Sequence, residues 1–422
     1  MVFGSLMRIP TYREVESGVG TILREQNGLG AVLIDLGSLA RIERSFGAKA
    51  YQALQAQVEN LLGEVRDKVR EGDILVRDPD GDRFVLFLSR RRDGKNALSI
   101  EDLQKFAGRI EGQIRPRVSR LTLPYLRERP SVDVGYGFVI HSPLESDDRQ
   151  IQRVIEECRG SSDLRRRIRE RDEHEGLIEI IHNRRLWTAF QPIVELETRR
   201  IVGHEGLSRG PRATELETPY ALFGAAGRQG VTEELERACR RQAFVDWEVF
   251  GASGRLFINT VPATVRDTSF LGRGVLDYLG PRLSPRDVTL EITEQRVIEN
   301  LNLYREAMHS FMDLGFSFAI DDVGAGYSGL ETMATLGAAY LKIDMVLVRD
   351  VHHKRVSQQV VKAILDMGAG VDAKVIAEGI ETQEEAEALR GLGVLWGQGY
   401  LFGRPQDPYA PGFRPGVRNT TT

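Results

Sequence analysis

Five acids, Glu205, Glu291, Asp321, Asp322 and Glu378, and one amide, Asn259, stand at or just past the ends of short apolar runs in the second half of the chain. Five carboxylates brought together repel, and burying any of them unpaired is costly. Two routes relieve this: some acids keep their protons, or cations bind among them. Oxygen-only donors suit hard cations such as Mg²⁺ or Mn²⁺. The adjacent pair Asp321 and Asp322 suits two ions in one site, and two ions about 4 Å apart form a clamp for in-line displacement at phosphorus. Lys342 and Asp344 have i, i+2 spacing, which on a strand directs both to one face. A lysine there could orient or deprotonate a water or touch a phosphate; the same spacing also suits a structural ion pair. Glu294, three residues after Glu291, reads as an anchor for the following loop rather than a ligand. The glycine-rich stretch Asp322 to Leu330 reads equally as a mobile loop closing over the site and as an ordinary turn. Each acid alone is a common cap or surface residue; the signal is their recurrence at strand after strand.

The elements that would position them alternate regularly. Eight apolar runs, from "AFQPIV" to "GQGYLF", are separated by longer helical segments. Eight strands alternating with helices over roughly 240 residues predict a (β/α)8 barrel of the TIM type, whose strand C-termini converge on one face. In the first half, Ala31 to Leu36 reads as a buried strand and Leu39 to Val69 as helix. "DILVRDPDGDRFVLFL" reads as a hairpin turning at Pro79, Asp80 and Gly81, and Ser131 to Ile140 as another strand. This predicts an α/β domain over 1–160. A helical linker dense in both charges follows over 161–185, then the barrel over 186–410 and a tail over 411–422. The linker reads as a solvated helix or, more sharply, as one that couples the halves or pairs with a second chain. "SRRRDGK" (Ser89 to Lys95) reads as a solvated turn.

Composition narrows the classes. The 422 residues carry 57 Lys and Arg against 61 Asp and Glu, a net charge of −4, so DNA is a poor partner. Two cysteines, Cys158 and Cys239, make no disulfide framework, and a reducing cytoplasm is the simplest compartment. Seven scattered histidines argue against zinc. No apolar run approaches ~18 residues, so no membrane span is expected, and "MVFGSLMRIP" lacks the apolar region of a secretory leader.

The second half resembles the EAL-type cyclic di-GMP phosphodiesterase domain from about 176 to 410. "FQPIV" resembles its opening strand and "EGLSR" its EALxR signature. "INTVP", "LEITE", "DDVGAGYSGL", "LKID", "AEGIE" and "GQGYLFGRP" follow in the family's order. The resemblance implies that Glu205, Asn259, Glu291, Asp321, Asp322 and Glu378 hold two Mg²⁺ or Mn²⁺ ions and that Lys342 positions or activates the attacking water. It implies that Glu294 braces the loop after Asp322, and that Gln191, Arg209, Asp344 and Pro405 lie on the nucleotide's side. Glu381 and Gln398 would assist through water or metal contacts. The implied reaction converts cyclic di-GMP to linear pGpG, and the implied assembly is a homodimer. Gly206, Val323 and Ala325 depart from the family's Ala, Phe and Thr, which leaves a non-hydrolysing cyclic di-GMP receptor as the alternative.

The first half resembles a degenerate GGDEF-type diguanylate cyclase domain. Asp35 is kept, while Gly37 and Glu43 replace an Asp and an Asn, and Asp80, Gly81, Asp82, Arg83 and Phe84 stand for the signature. Asp80 adds negative charge where a triphosphate would lie, and Arg83 replaces an acid, so no cyclase activity is expected. Arg70 and Asp73 match the RxxD of the family's regulatory nucleotide site. With the surroundings so altered, an incidental charge pair at a surface turn is the preferred reading.

Overall fold

The computed structural model describes residues 9–66, 72–78, 81–89, 98–123, 125, 131–260, 272–293, 308–324 and 337–413. The chain divides into two compact units, Met1–Asp172 and Glu173–Thr422.

The first unit is built on a four-stranded antiparallel sheet. Its strands are β1 (Gly28–Asp35), β2 (Ile74–Arg77), β3 (Arg83–Leu88) and β4 (Asp133–Ile140), in the order β2-β3-β1-β4. Alternation along β1 explains the layers. Val32 and Ile34 pack with Ile42, Val58, Leu62, Leu103 and Ile114 from α2 (Ala40–Phe46), α3 (Ala48–Arg66) and α4 (Ile100–Thr122). Leu29, Ala31 and Leu33 pack with Val19, Leu23, Ile151 and Val154 from α1 (Tyr12–Gln26) and α5 (Asp147–His182). The helix expected from 39 to 69 is interrupted at Gly47, whose φ of 83° ends α2. Helix α1, which the sequence reading did not place, opens with a capping box. The Glu14 carboxylate accepts from Thr11 N and Oγ1 at 2.6 and 2.9 Å.

The charged stretch expected as a linker is the later part of α5, one continuous helix of 36 residues and about 54 Å. Within the first unit it is held by charge. Glu111 on α4 accepts from Arg165 at 3.2 Å and Arg169 at 2.9 Å, and Arg169 also pairs with the buried Asp133. Its last turns belong to the second unit, where Leu177 and Ile180 pack against Leu186, Leu222 and Leu235. Cys158 and Cys239 are free and buried.

The second unit is a closed eight-stranded barrel. Its strands are β5 (Trp187–Glu195), β6 (Ile201–Arg209), β7 (Arg255–Asn259), β8 (Val288–Thr293), β9 (Ser317–Val323), β10 (Tyr340–Ile343), β11 (Lys374–Ala377) and β12 (Trp396–Gln398). All eight expected strands are present, with one departure from an all-parallel barrel: β5 runs antiparallel to both β6 and β12. The physical reason is the connection. Only 196–200 separate β5 from β6, too few for the crossover that parallel neighbours need. Helices α6 (Pro219–Gln229), α7 (Thr232–Phe250), α8 (Arg355–Gly370) and α9 (Gln383–Leu392) accompany the strands. Phe244, Trp247 and Phe250 of α7 share the largest core with Phe190, Leu256, Ile258 and Leu290. Among the described residues, no helix is long and apolar enough to cross a membrane.

Candidate functional site

The barrel interior is layered, and the layering makes the site. Ile193, Phe257, Ala319, Tyr340 and Ile376 form a separate apolar cluster inside the strands, with Trp396 against it. Two residues nearer the mouth, the same face of the same strands carries Gln191, Asn259, Asp321, Lys342, Glu378 and Gln398. Glu205 of β6 and Glu291 of β8 complete a polar ring drawn from all eight strands. Because β5 is reversed, its ring residue precedes its apolar one. The apolar layer therefore keeps water from reaching the ring from below, where Arg255 and Lys374 lie over Tyr340 and Trp396 at 5.5 and 4.8 Å.

Lys342 stands at the centre and is fully buried. Its Nζ lies 2.5 Å from Glu378 Oε1, 2.7 Å from Glu291 Oε1, 3.4 Å from Asp321 Oδ1 and 3.6 Å from Glu205 Oε1. Four carboxylates surround one ammonium, so the cluster is formally −3 when all are ionised. Burial disfavours the charged lysine, but Asp321, Glu205, Glu291 and Glu378 outweigh it and hold its pKa well above the usual value. Burial pushes Glu291 well up, against the pull of Lys342, and pushes Glu378 up, aided by Asp321. Asp321 is raised by burial as well.

Adjacent residues on a strand face opposite ways, so Asp321 and Asp322 could not both reach the ring on a regular β9. A bulge interrupts the alternation here, with Asp321 buried against Lys342 and Asp322 exposed. Ile320 pairs with Leu341 and Val323 with Ile343, leaving two aspartates opposite the single Lys342. Asp322 takes φ 58°, a left-handed conformation that Asp tolerates better than most residues. Its carboxyl is pushed up to about 6 by burial and by the charges of Asp321 and Asp344. Asp344 caps the helical turn Met345–Val348, accepting from Val346 N at 2.6 Å.

Amides brace Glu205. Asn259 Nδ2 donates to its Oε1 at 3.2 Å and Gln398 Nε2 to its Oε2 at 2.6 Å. Gln398 also donates to Gln191 Oε1 at 3.0 Å, and Gln191 Nε2 donates to Gly403 O at 3.1 Å. Sequence reasoning passed over Gly403; its signal was a glycine two residues before Pro405, whose Cβ would press on Pro192. Arg209 ends β6 on the ring's face, half-buried, with Nη1 on its own strand's carbonyls at Leu207 and Ser208. Pro405 lies beside Gln406, which pairs with Phe190. Glu381 is not brought into the cluster: it is exposed and ion-paired with Arg349 at 2.5 Å. Glu294, Arg70, Asp80 and Ala325 to Leu330 lie outside the described residues. Asp73 is buried rather than at the surface, accepting from Ser89 N and Oγ at 2.6 and 2.8 Å.

In the first unit the residues expected to stand for the cyclase signature are engaged by neighbours. Arg83 Nε pairs with Asp35 Oδ2 at 2.9 Å, Tyr51 OH donates to Asp82 at 2.5 Å, and Gln55 donates to Gly81 O at 3.2 Å.

The ring's chemistry fits hard cations. Its donors are carboxylates and one amide, it carries excess negative charge, and Glu291 Oε2 is buried without a hydrogen bond. Four of these acids contact the Lys342 ammonium.

Comparison with known proteins agrees with this architecture. The EAL domain model matches residues 174–405. A probable cyclic di-GMP phosphodiesterase, PdeA of Escherichia coli, is 37% identical over 36% of this chain and 21% of its own length. MucR of Pseudomonas aeruginosa, a bifunctional diguanylate cyclase/cyclic di-GMP phosphodiesterase, is 24% identical over 93% of this chain and 58% of its own. The chain thus spans less than two thirds of the length of these relatives. The crystal structure of the Xanthomonas citri FimX EAL domain in complex with c-di-GMP superposes with a TM-score of 0.53 at 17% identity. It covers 59% of this chain and 99% of that one, a likeness of fold. With its model matching more than half the sequence, the chain belongs to the EAL domain family.

Proposed function

We propose that this chain hydrolyses cyclic di-GMP to linear pGpG at the barrel mouth, using two Mg²⁺ or Mn²⁺ ions, with a first unit that is a degenerate, inactive GGDEF domain. The observation that carries the reading is the ring of Glu205, Glu291, Asp321 and Glu378 around Lys342 within the matched EAL region. Glu205, Asn259, Glu291, Asp321, Asp322 and Glu378 would hold the ions. Bound there, divalent cations supply neutralisation of the phosphate oxygens and activation of water. The protein's own groups do the rest. Lys342, at the centre of these acids, would position or activate the attacking water. Gln398 and Asn259 fix the orientation of Glu205, and Gln191 ties that brace to the chain after β12. Arg209 offers a cation at the mouth. Water adds across one P–O bond, one proton going to the leaving 3′ oxygen, and the ring opens to pGpG.

The test is incubation of the purified chain with cyclic di-GMP and Mg²⁺ or Mn²⁺, products resolved by anion exchange, with Glu205→Ala beside it. Appearance of pGpG with the parent chain alone supports the reading; intact nucleotide under both metals refutes it. The second reading, a receptor that binds cyclic di-GMP without hydrolysis, draws on Val323 and Ala325, which depart from the family's Phe and Thr after the paired aspartates. It requires binding in chelator and intact nucleotide in Mg²⁺.

A further inference from the structure

The loop after β6 and the segment after β12 approach each other at one guanidinium. Arg212 Nη2 donates to both Asp407 oxygens at 2.7 Å. Its guanidinium lies 4.8 Å from the Trp187 ring centre and 5.7 Å from that of Tyr409. Both partners are anchored independently. The loop is folded on itself, with Gly210 N on Glu217 O at 3.1 Å and Ala213 N on the Glu217 carboxylate at 2.9 Å. The strap is pinned on either side of Asp407. Gln406 exchanges two backbone hydrogen bonds with Phe190 at 2.8 and 2.9 Å, and Tyr409 OH donates to the buried Asp246 at 2.5 Å.

Arg212 follows Arg209 by three residues, and Asp407 follows Pro405 by two. We propose that Arg212 is a positioning residue, tying the β6 loop to the C-terminal strap and so setting the separation of Arg209 from Pro405 across the nucleotide's entrance. The proposal rests on the phosphodiesterase reading for its substrate but not for its mechanics. An exposed ion pair alone contributes little, and Arg212 retains 48% side-chain exposure. What distinguishes this one is the planar guanidinium set between two aromatic faces while it holds the carboxylate, a stacking that lysine's compact ammonium matches only in part.

The experiment compares the full chain with Arg212→Ala, Arg212→Lys and Asp407→Asn in cyclic di-GMP hydrolysis, and follows amide exchange at Phe190 and Gln406. Arg212→Ala is expected to raise KM about tenfold while kcat changes less than about twofold, with Arg212→Lys between it and the parent. Exchange at Phe190 and Gln406 is expected to quicken in Arg212→Ala. Unchanged KM with unchanged exchange overturns the proposal, as does a loss of kcat at constant KM. If the parent binds but does not hydrolyse, the same ordering is read from Kd. A parent that neither binds nor hydrolyses refutes the phosphodiesterase reading, and exchange then decides the positioning role by itself.

Discussion

Replacing Lys342 by Met removes the cation that four carboxylates surround at 2.5 to 3.6 Å, while roughly keeping the side chain's volume. Breaking a buried ion cluster by deleting one partner costs about 3–5 kcal/mol. The sign of the pH dependence follows from the acids left behind. Burial raises Glu291, Asp321 and Glu378 above their unfolded values. Groups raised on folding contribute stability that is present below the unfolded carboxylate range and is lost as pH rises through their folded values. The variant's deficit should therefore be largest at alkaline pH and shrink toward acid. Divalent cation should replace the missing charge, and a cation that binds only the folded state at 100 times its Kd returns about 2.7 kcal/mol. Urea denaturation followed by tryptophan fluorescence measures this in the second unit alone, since the three tryptophans, Trp187, Trp247 and Trp396, all belong to it. A metal-free variant with the parent's midpoint at pH 8, or a deficit that grows toward acid, would refute the account of the cluster.

His204 of β6 faces Trp247 and Phe250, and burial pushes its pKa down to about 4. The unfolded chain takes the proton first as pH falls below about 6.5, so folding should weaken by roughly 2–3 kcal/mol between pH 7 and 4.5. His204→Phe should flatten that acid limb in the same denaturation assay, and an unaltered limb would assign it elsewhere. Gly399→Ala places a Cβ against the backbone of Ile380 and should cost about 1–3 kcal/mol; an unchanged urea midpoint would show that the strap can shift. Incubation of the chain with GTP and Mg²⁺ should yield neither cyclic di-GMP nor pGpG, because Arg83 occupies Asp35, and either product would contradict the inactive reading of the first unit.

Much of this was legible beforehand because the barrel repeats one local rule. An acid or amide two residues beyond an interior apolar side chain recurs on strand after strand, and one sequence suffices to see it. The reversed direction of β5 was also written in the sequence, in the brevity of 196–200, but apolar runs carry no polarity and the count of eight concealed it. Helix α1 was missed although Thr11 and Glu14 stand at capping-box spacing ahead of Val15, Val19, Ile22 and Leu23. The protonation of Lys342 could not be read in advance: the sequence brings up Asp344 as its neighbour, while the fold supplies four other carboxylates from four other segments. Likewise a dipeptide does not reveal that Asp321 and Asp322 share one partner.

That shared partner means the ring's composition is set by a length as well as by identities. Each regular strand offers the mouth one side chain per rung, so eight strands fix eight places. The extra residue in β9 sets a second, exposed carboxylate beside that strand's place without adding a strand. A deletion of either aspartate would leave an acid opposite Lys342 and a strand in regular register, and would still subtract one carboxylate from this end of β9. Insertion or loss of one residue here is thus a discrete adjustment of charge, available to the chain with the rest of the scaffold unchanged.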